Sequence, residues 1–199
     1  MKPTFSEAIK LLDTTFYNLD YHQERIDRTQ DALGRNRIEL KEHLQLIPDS
    51  ARKGLFKCRV VYSDRIESVE YIPYSLPTIN KVAIVIDDDI SYDFKSTDRS
   101  RLNQLRDEAN SDEIIIVKNG LITDGFATNL VFEAEDGTLY TPKSYLLSGT
   151  KRQSLIDVGR IEERQISIED LRSYTRIHFI NAMIDLEDNV SIGIDDIKK

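Results

Sequence analysis

Small or apolar residues at Phe5, Ala8, Ile9, Leu11 and Leu12 make residues 4–12 a short strand at the start of the chain. Leu19, His22, Ile26, Thr29 and Leu33 then recur at spacings of three and four, which places them on one helical face. Asn18 or Asp20 can cap this helix, and Gly34 ends it. A second helical segment is expected over 38–46, where Pro48 stops it. Residues 55–62 are rich in β-formers, Ser63-Asp64 can turn, and 65–74 alternate in part, a hairpin pattern. Pro73 and Pro77 break the alternation, so 75–81 reads as a linker between two lobes.

The second half alternates strands with short helices. The apolar run 82–86 has the look of a buried strand, and Asp98 or Ser100 can start a helix with Leu102, Leu105 and Ala109 on one face. Residues 113–117 are a β-branched run. Asn119-Gly120 follows, a pair suited to a type I′ turn because both central positions need positive φ. Strands are expected over 121–124 and 129–134, with Asp136-Gly137 repeating the turn chemistry before 139–141. Residues 150–158 look helical and end near Gly159, Ser167 caps a short helix, and 176–183 is the last strand expected. This is an α+β pattern with much antiparallel sheet.

Composition narrows the function classes. With 199 residues, 40% of them hydrophobic, the chain can bury a core as one domain or two small lobes. A net charge of −8 makes it a poor general binder of nucleic-acid backbone, which needs a basic surface. An anionic ligand would therefore need a local basic pocket. Cys58 is the only cysteine, and with three scattered histidines a structural zinc site is not expected, so the metal expectation is none. No signal-peptide pattern opens the chain and no apolar run approaches a membrane span, so a soluble cytoplasmic protein without a membrane partner is expected. P-loop, GxSxG and HExxH motifs are absent.

The chemistry lies in a constellation spread along the chain. Ile122-Thr123-Asp124-Gly125-Phe126-Ala127-Thr128-Asn129-Leu130 is followed by Leu139-Tyr140-Thr141-Pro142 and by Leu147-Ser148-Gly149-Thr150-Lys151-Arg152. Upstream stand His22-Gln23-Glu24-Arg25 and Lys95-Ser96-Thr97-Asp98-Arg99, and near the end Ile180-Asn181-Ala182-Met183. This ordered set resembles the class IV aminotransferases, the fold-type IV enzymes of pyridoxal 5′-phosphate (PLP), over nearly the whole chain. The Asn181-Ala182 segment resembles that of aminodeoxychorismate lyases. Two departures stand out. Asp124 occupies a place where most of the family has Glu, and Asp64-Arg65-Ile66-Glu67 stands where the family has a loop with a further arginine.

The resemblance implies a two-lobed fold-type IV architecture, 1–78 and 79–199, with PLP between the lobes, and a homodimer. It implies that Lys95 carries PLP as a Schiff base and that Asp124 pairs with the pyridine nitrogen, keeping it protonated so that the ring accepts electrons. Arg25 would clamp the phosphate bidentately. Gly149-Thr150-Lys151 would offer helix-start N–H groups and the Thr150 hydroxyl to it. Asn181 would close the cup, while Asn129 would either join it or hold the turn between two strands. Arg59 is the candidate for the substrate carboxylates. The activity implied is 4-amino-4-deoxychorismate lyase, a step of folate biosynthesis giving 4-aminobenzoate and pyruvate. Transamination of branched-chain or D-amino acids is the second reading, and a ligand-binding member without catalysis is a third of another class.

Overall fold

A computed structural model describes residues 2–197. The chain forms two compact units: the first comprises residues up to Ser75 together with Phe94–Asp98, the second Leu76–Asp93 together with the chain from Arg99 onward.

In the first unit, β1 (Phe5–Leu12), β2 (Thr15–Phe16), β3 (Leu55–Tyr62) and β4 (Ile66–Pro73) form an antiparallel sheet in the order β2-β1-β3-β4. Strand β1 alternates strictly between buried and half-buried positions, which commits Phe5, Glu7, Ile9 and Leu11 to the core face. Helix α1 (Leu19–Ala32) buries His22, Arg25, Ile26, Thr29 and Gln30. Asn18 precedes α1 in the left-handed region at φ 55° and makes no side-chain cap bond, so the expected capping is not the kind found. The helix expected over 38–46 is shorter, α2 (Leu40–His43). Its entry is held from α1, since Gln23 Oε1 accepts the Leu40 N–H at 2.7 Å and Gln23 Nε2 donates to the Ile38 carbonyl at 2.7 Å. The hairpin β3–β4 forms as the pattern predicts, from Phe56↔Pro73 to Tyr62↔Ile66 with a register shift next to Tyr62.

The segment Phe94–Asp98 belongs to the first unit through backbone and ring contacts. The Ser6 N–H donates to the Lys95 carbonyl at 2.9 Å and the Thr97 N–H to the Thr4 carbonyl at 3.0 Å. The rings of Phe5 and Phe94 meet edge-on at 6.0 Å.

The second unit carries β5 (Val82–Ile86), α3 (Ser100–Ala109), β6 (Glu113–Lys118), β7 (Leu121–Gly125), β8 (Asn129–Ala134), β9 (Leu139–Pro142), α4 (Thr150–Asp157), β10 (Glu162–Arg164), β11 (Tyr174–Ile180) and β12 (Ser191–Gly193). Its sheet runs β10-β9-β8-β7-β6-β5, with β11 also pairing β8 and then β12. Among the described residues strand β5 pairs only with β6, in parallel, and it ends with Ile86 65% exposed; the run expected to be a buried strand is an edge. Asn119 and Gly120 both take positive φ, 51° and 75°, as a type I′ turn requires. The last strand starts earlier than the apolar run suggests, at Tyr174, and stops at Ile180, where Asn181 and Ile184 exchange backbone hydrogen bonds in a tight turn directly after it.

Candidate active site

Within the second unit the strand-to-strand turn after β7 is the centre of the arrangement. Asp124 is buried at the end of β7 and pairs across the ladder with Asn129. Its Oδ1 accepts from Asn129 Nδ2 at 2.8 Å, and its Oδ2 accepts the Leu146 and Leu147 N–H groups at 3.0 and 2.8 Å. Burial pushes the carboxyl up to about 6, with the three donors pulling the other way. Asn129 Nδ2 also donates to the Leu147 carbonyl at 3.2 Å. Asn129 therefore ties β7 to the segment that leads into α4.

That segment ends at Gly149, the residue before α4. A Cβ placed on Gly149 would lie 1.7 Å from Asn129 Oδ1, so glycine is needed here for space. Thr150, Lys151 and Arg152, the first turn of α4, are all buried. Lys151 Nζ pairs with Asp185. Arg152 is committed to the framework: it donates to the Pro142 carbonyl at 2.9 Å and to Glu163 at 2.6 Å, with the Tyr145 ring 4.4 Å away. Asn181 Nδ2 donates to the Ala127 carbonyl at 3.1 Å. The second unit thus brings Asp124, Asn129, the start of α4 and Asn181 to one turn.

Sequence reasoning missed the residues that hold this turn from behind. Glu113, buried at the start of β6, accepts the Phe126 N–H at 2.5 Å and the Thr128 hydroxyl at 3.2 Å; burial raises its carboxyl. Arg99 donates to the Phe126 carbonyl at 2.5 Å, and the Phe126 ring lies 4.2 Å from the Arg99 guanidinium and 4.1 Å from that of Arg106. The one signal in the sequence was a lone Glu heading the β-branched run 113–117.

In the first unit, Arg25 is 6% exposed, not a surface helix arginine. Its Nε donates to Glu7 Oε1 at 2.9 Å and its Nη2 pairs with Glu7 Oε2. His22 Nδ1 meets the same Oε2 at 2.5 Å. Burial pushes the Glu7 carboxyl upward, but the Arg25 charge and the His22 contact outweigh it and hold it at about 2. Lys95 lies on the segment bonded to β1 at Ser6 and is half-buried. Arg59, opposite Ala8 on β3, points away from the core and pairs with Glu70 at 3.1 Å. A cavity of about 440 Å³ in the second unit, bordered by Ile84, Leu171, Arg172, Ile194 and Asp195, includes none of the residues singled out from sequence. Among the described residues no cluster of His, Cys, Asp and Glu could hold a metal ion, and no helix is long and apolar enough to cross a membrane.

Known proteins resemble this chain in sequence and fold. The family model described as amino-transferase class IV matches residues 4–187. An uncharacterized protein of Haemophilus influenzae strain Rd is 34% identical over 187 residues, covering 92% of this chain and 98% of its own. A crystal structure from Haemophilus somnus 129PT, provisionally assigned as a 4-amino-4-deoxychorismate lyase, is 30% identical with a TM-score of 0.80, covering 92% of this chain and 97% of the other. A Mycobacterium tuberculosis aminotransferase of hypothetical function, solved with PLP bound, shares the fold with a TM-score of 0.75 at 16% identity, over 90% of this chain and 78% of its own.

Proposed function

The chain belongs to the class IV aminotransferase family of PLP-dependent enzymes, and from that premise we propose that it is a lyase converting 4-amino-4-deoxychorismate to 4-aminobenzoate and pyruvate. The observation that carries the choice is the Haemophilus somnus structure, which matches this chain at 30% identity with nearly end-to-end coverage of both.

The donor set fits the cofactor. PLP asks for an amine, an anion for its ring nitrogen and fixed donors for a phosphate dianion. The chain supplies Lys95, the buried carboxylate of Asp124, the buried guanidinium of Arg25 and the start of α4 with Thr150 and Lys151. In this reading these residues, with Asn129 and Asn181, serve one PLP molecule. Bound PLP supplies an electron sink conjugated to the substrate amine.

The remaining work is done by side chains. Lys95 would hold the cofactor and, once free of it, would take up the proton on the ring carbon that bears the substrate amine; the bond from the neighbouring ring carbon to the enolpyruvyl oxygen would then break, and the departing enolpyruvate would take a proton to become pyruvate. Asp124 would hold the ring-nitrogen proton of the bound cofactor. Its three N–H donors fix the carboxylate, so its position does not depend on the ligand. Glu113, Arg99 and Asn181 hold the 125–128 turn still around it. Arg59, 37% exposed and paired at the surface with Glu70, is the candidate cation for substrate carboxylates. Aromatisation of the product ring drives the step forward. We place the enzyme in the cytoplasm as a homodimer.

The test is an assay of the PLP-loaded protein. With 4-amino-4-deoxychorismate it should release 4-aminobenzoate and pyruvate in equal amounts. Turnover of a branched-chain or D-amino acid with a keto-acid acceptor, and none with the chorismate derivative, would replace the lyase by a transaminase. A colourless protein that turns over neither would leave the non-catalytic reading.

A further inference from the structure

The core face of β1 reads Phe5, Glu7, Ile9, Leu11. A carboxylate in that apolar row is costly to bury unless it is paired and hydrogen-bonded, and Glu7 is fully buried. Its two oxygens take Arg25 Nε, Arg25 Nη2 and His22 Nδ1. His22 and Arg25 are three positions apart on α1, so both reach the same strand residue. An ionised carboxylate only accepts hydrogen bonds, so His22 carries its proton on Nδ1. Burial lowers the His22 pKa and so favours the neutral ring, whose Nε2 is an acceptor, buried and without a hydrogen-bond partner among the described residues.

A buried Arg–Glu–His cluster is not the most stable filling for this place. Apolar residues of similar volume commonly do as well or better. What the cluster provides is orientation. Gripping a guanidinium through Nε and one Nη fixes its plane and uses two of its five N–H donors. We infer that Glu7, steadied by His22, is a positioning residue that turns Arg25 into an oriented receptor for the phosphate group of PLP. The inference rests on the reading above that Arg25 serves the phosphate.

Two effects compete when Glu7 is neutralised. Removing its negative charge raises the local positive potential, which favours a dianion. Releasing the guanidinium lets it leave the orientation that Glu7 imposes on it. At metal sites, loss of the outer partner that orients a ligand costs about 10- to 100-fold in affinity; the lower end of that range is taken here for a guanidinium, and the charge of Glu7 is already balanced by Arg25. The loss of orientation therefore wins.

The experiment is equilibrium titration of cofactor-stripped protein with PLP and, separately, with pyridoxal, which lacks the phosphate. Glu7→Gln should weaken PLP binding about tenfold and leave pyridoxal within about twofold. The exposed change Glu24→Gln on the same helix should alter neither. Equal loss for both ligands would make Glu7 a structural residue only, and unchanged or tighter PLP binding would overturn the inference outright. Should Glu7→Gln not fold, His22→Phe, which keeps the ring volume and removes the Nδ1 donor, is judged by the same criterion: selective loss of PLP supports the positioning role, and equal or absent loss overturns it. Arg25→Ala separates the two levels. If Arg25→Ala binds PLP like the parent, the phosphate reading of Arg25 fails; if it weakens PLP selectively while Glu7→Gln does not, the positioning role alone fails.

Discussion

Glu7 and Asp124 are two buried carboxylates with opposite proton linkage. Glu7 is held at about 2 in the folded state against 4.5 for the free group, so its contribution to stability is present above pH 4.5 and is lost as pH falls towards 2. Asp124 is raised to about 6 from 3.8. The folded state keeps its proton over a range in which the unfolded chain has released it, so stability falls as pH rises from about 4 to about 6. For cofactor-free protein, Asp124→Asn removes this dependence. Between pH 4.5 and pH 7 denaturant unfolding should show the parent losing about 2 kcal/mol relative to the variant; a constant difference at the two pH values would show Asp124 to be ionised throughout. A second residue-scale prediction concerns Lys95: borohydride reduction of the loaded enzyme should leave a pyridoxyl group on the Lys95 peptide, and a label on Lys81 or Lys118 would contradict the assignment. Arg25, Lys95 and Asp124 could be singled out because each sits in a recognisable run of residues. Glu113 could not, because a glutamate before a β-branched run has the same appearance whether its carboxylate meets solvent or two donors from a turn thirteen residues away.

At the scale of elements, what depends on a few neighbouring residues was readable and what depends on distant partners was not. The Asn119-Gly120 turn and the strand 129–134 came out as expected, because dihedral preference and β-branched runs act locally. Helix α2 starts later than its apolar spacing suggested, where Gln23 on α1 takes the Ile38 carbonyl and the Leu40 N–H. The edge position of β5 likewise follows from which strands pair, and apolar content alone does not distinguish an edge from a centre. The contact of β8 with the start of α4 gives the sharpest test of an element. Gly149→Ala would set a methyl group onto the Asn129 amide. Asn129 must then move and give up its bonds to Asp124 and the Leu147 carbonyl, leaving buried polar groups short of partners. The expected cost is about 1–3 kcal/mol per unsatisfied group, read as a lower denaturation midpoint, together with weaker PLP retention on dialysis. A midpoint equal to the parent would show that α4 can shift to make room.

At the scale of the molecule, the two-lobed reading anticipated a break at 78, and the chain forms two units with the first contiguous part ending at Ser75. What the linear pattern did not reveal is that the chain re-enters the first unit at Phe94 and leaves it again after Asp98. Proline-rich linkers are visible in a sequence; a five-residue return bonded to Thr4 and Ser6 is not, because its backbone pairing carries no residue signature. This return has a consequence for dissection. A cut after residue 78 leaves Lys95, the proposed PLP lysine, on one polypeptide and the strand its backbone is bonded to on the other. Residues 1–78 and 79–199, produced separately, should each fail to retain PLP, while their co-expression should restore a yellow complex by fragment complementation. If 79–199 alone forms a reducible adduct at Lys95 as readily as the intact chain, the seat on β1 is dispensable. Otherwise the border between the halves of the gene is not the border between the halves of the machine, and a fusion partner or inserted reporter is tolerated at 75–81 only if the ninety-fourth to ninety-eighth residues can still find their way home.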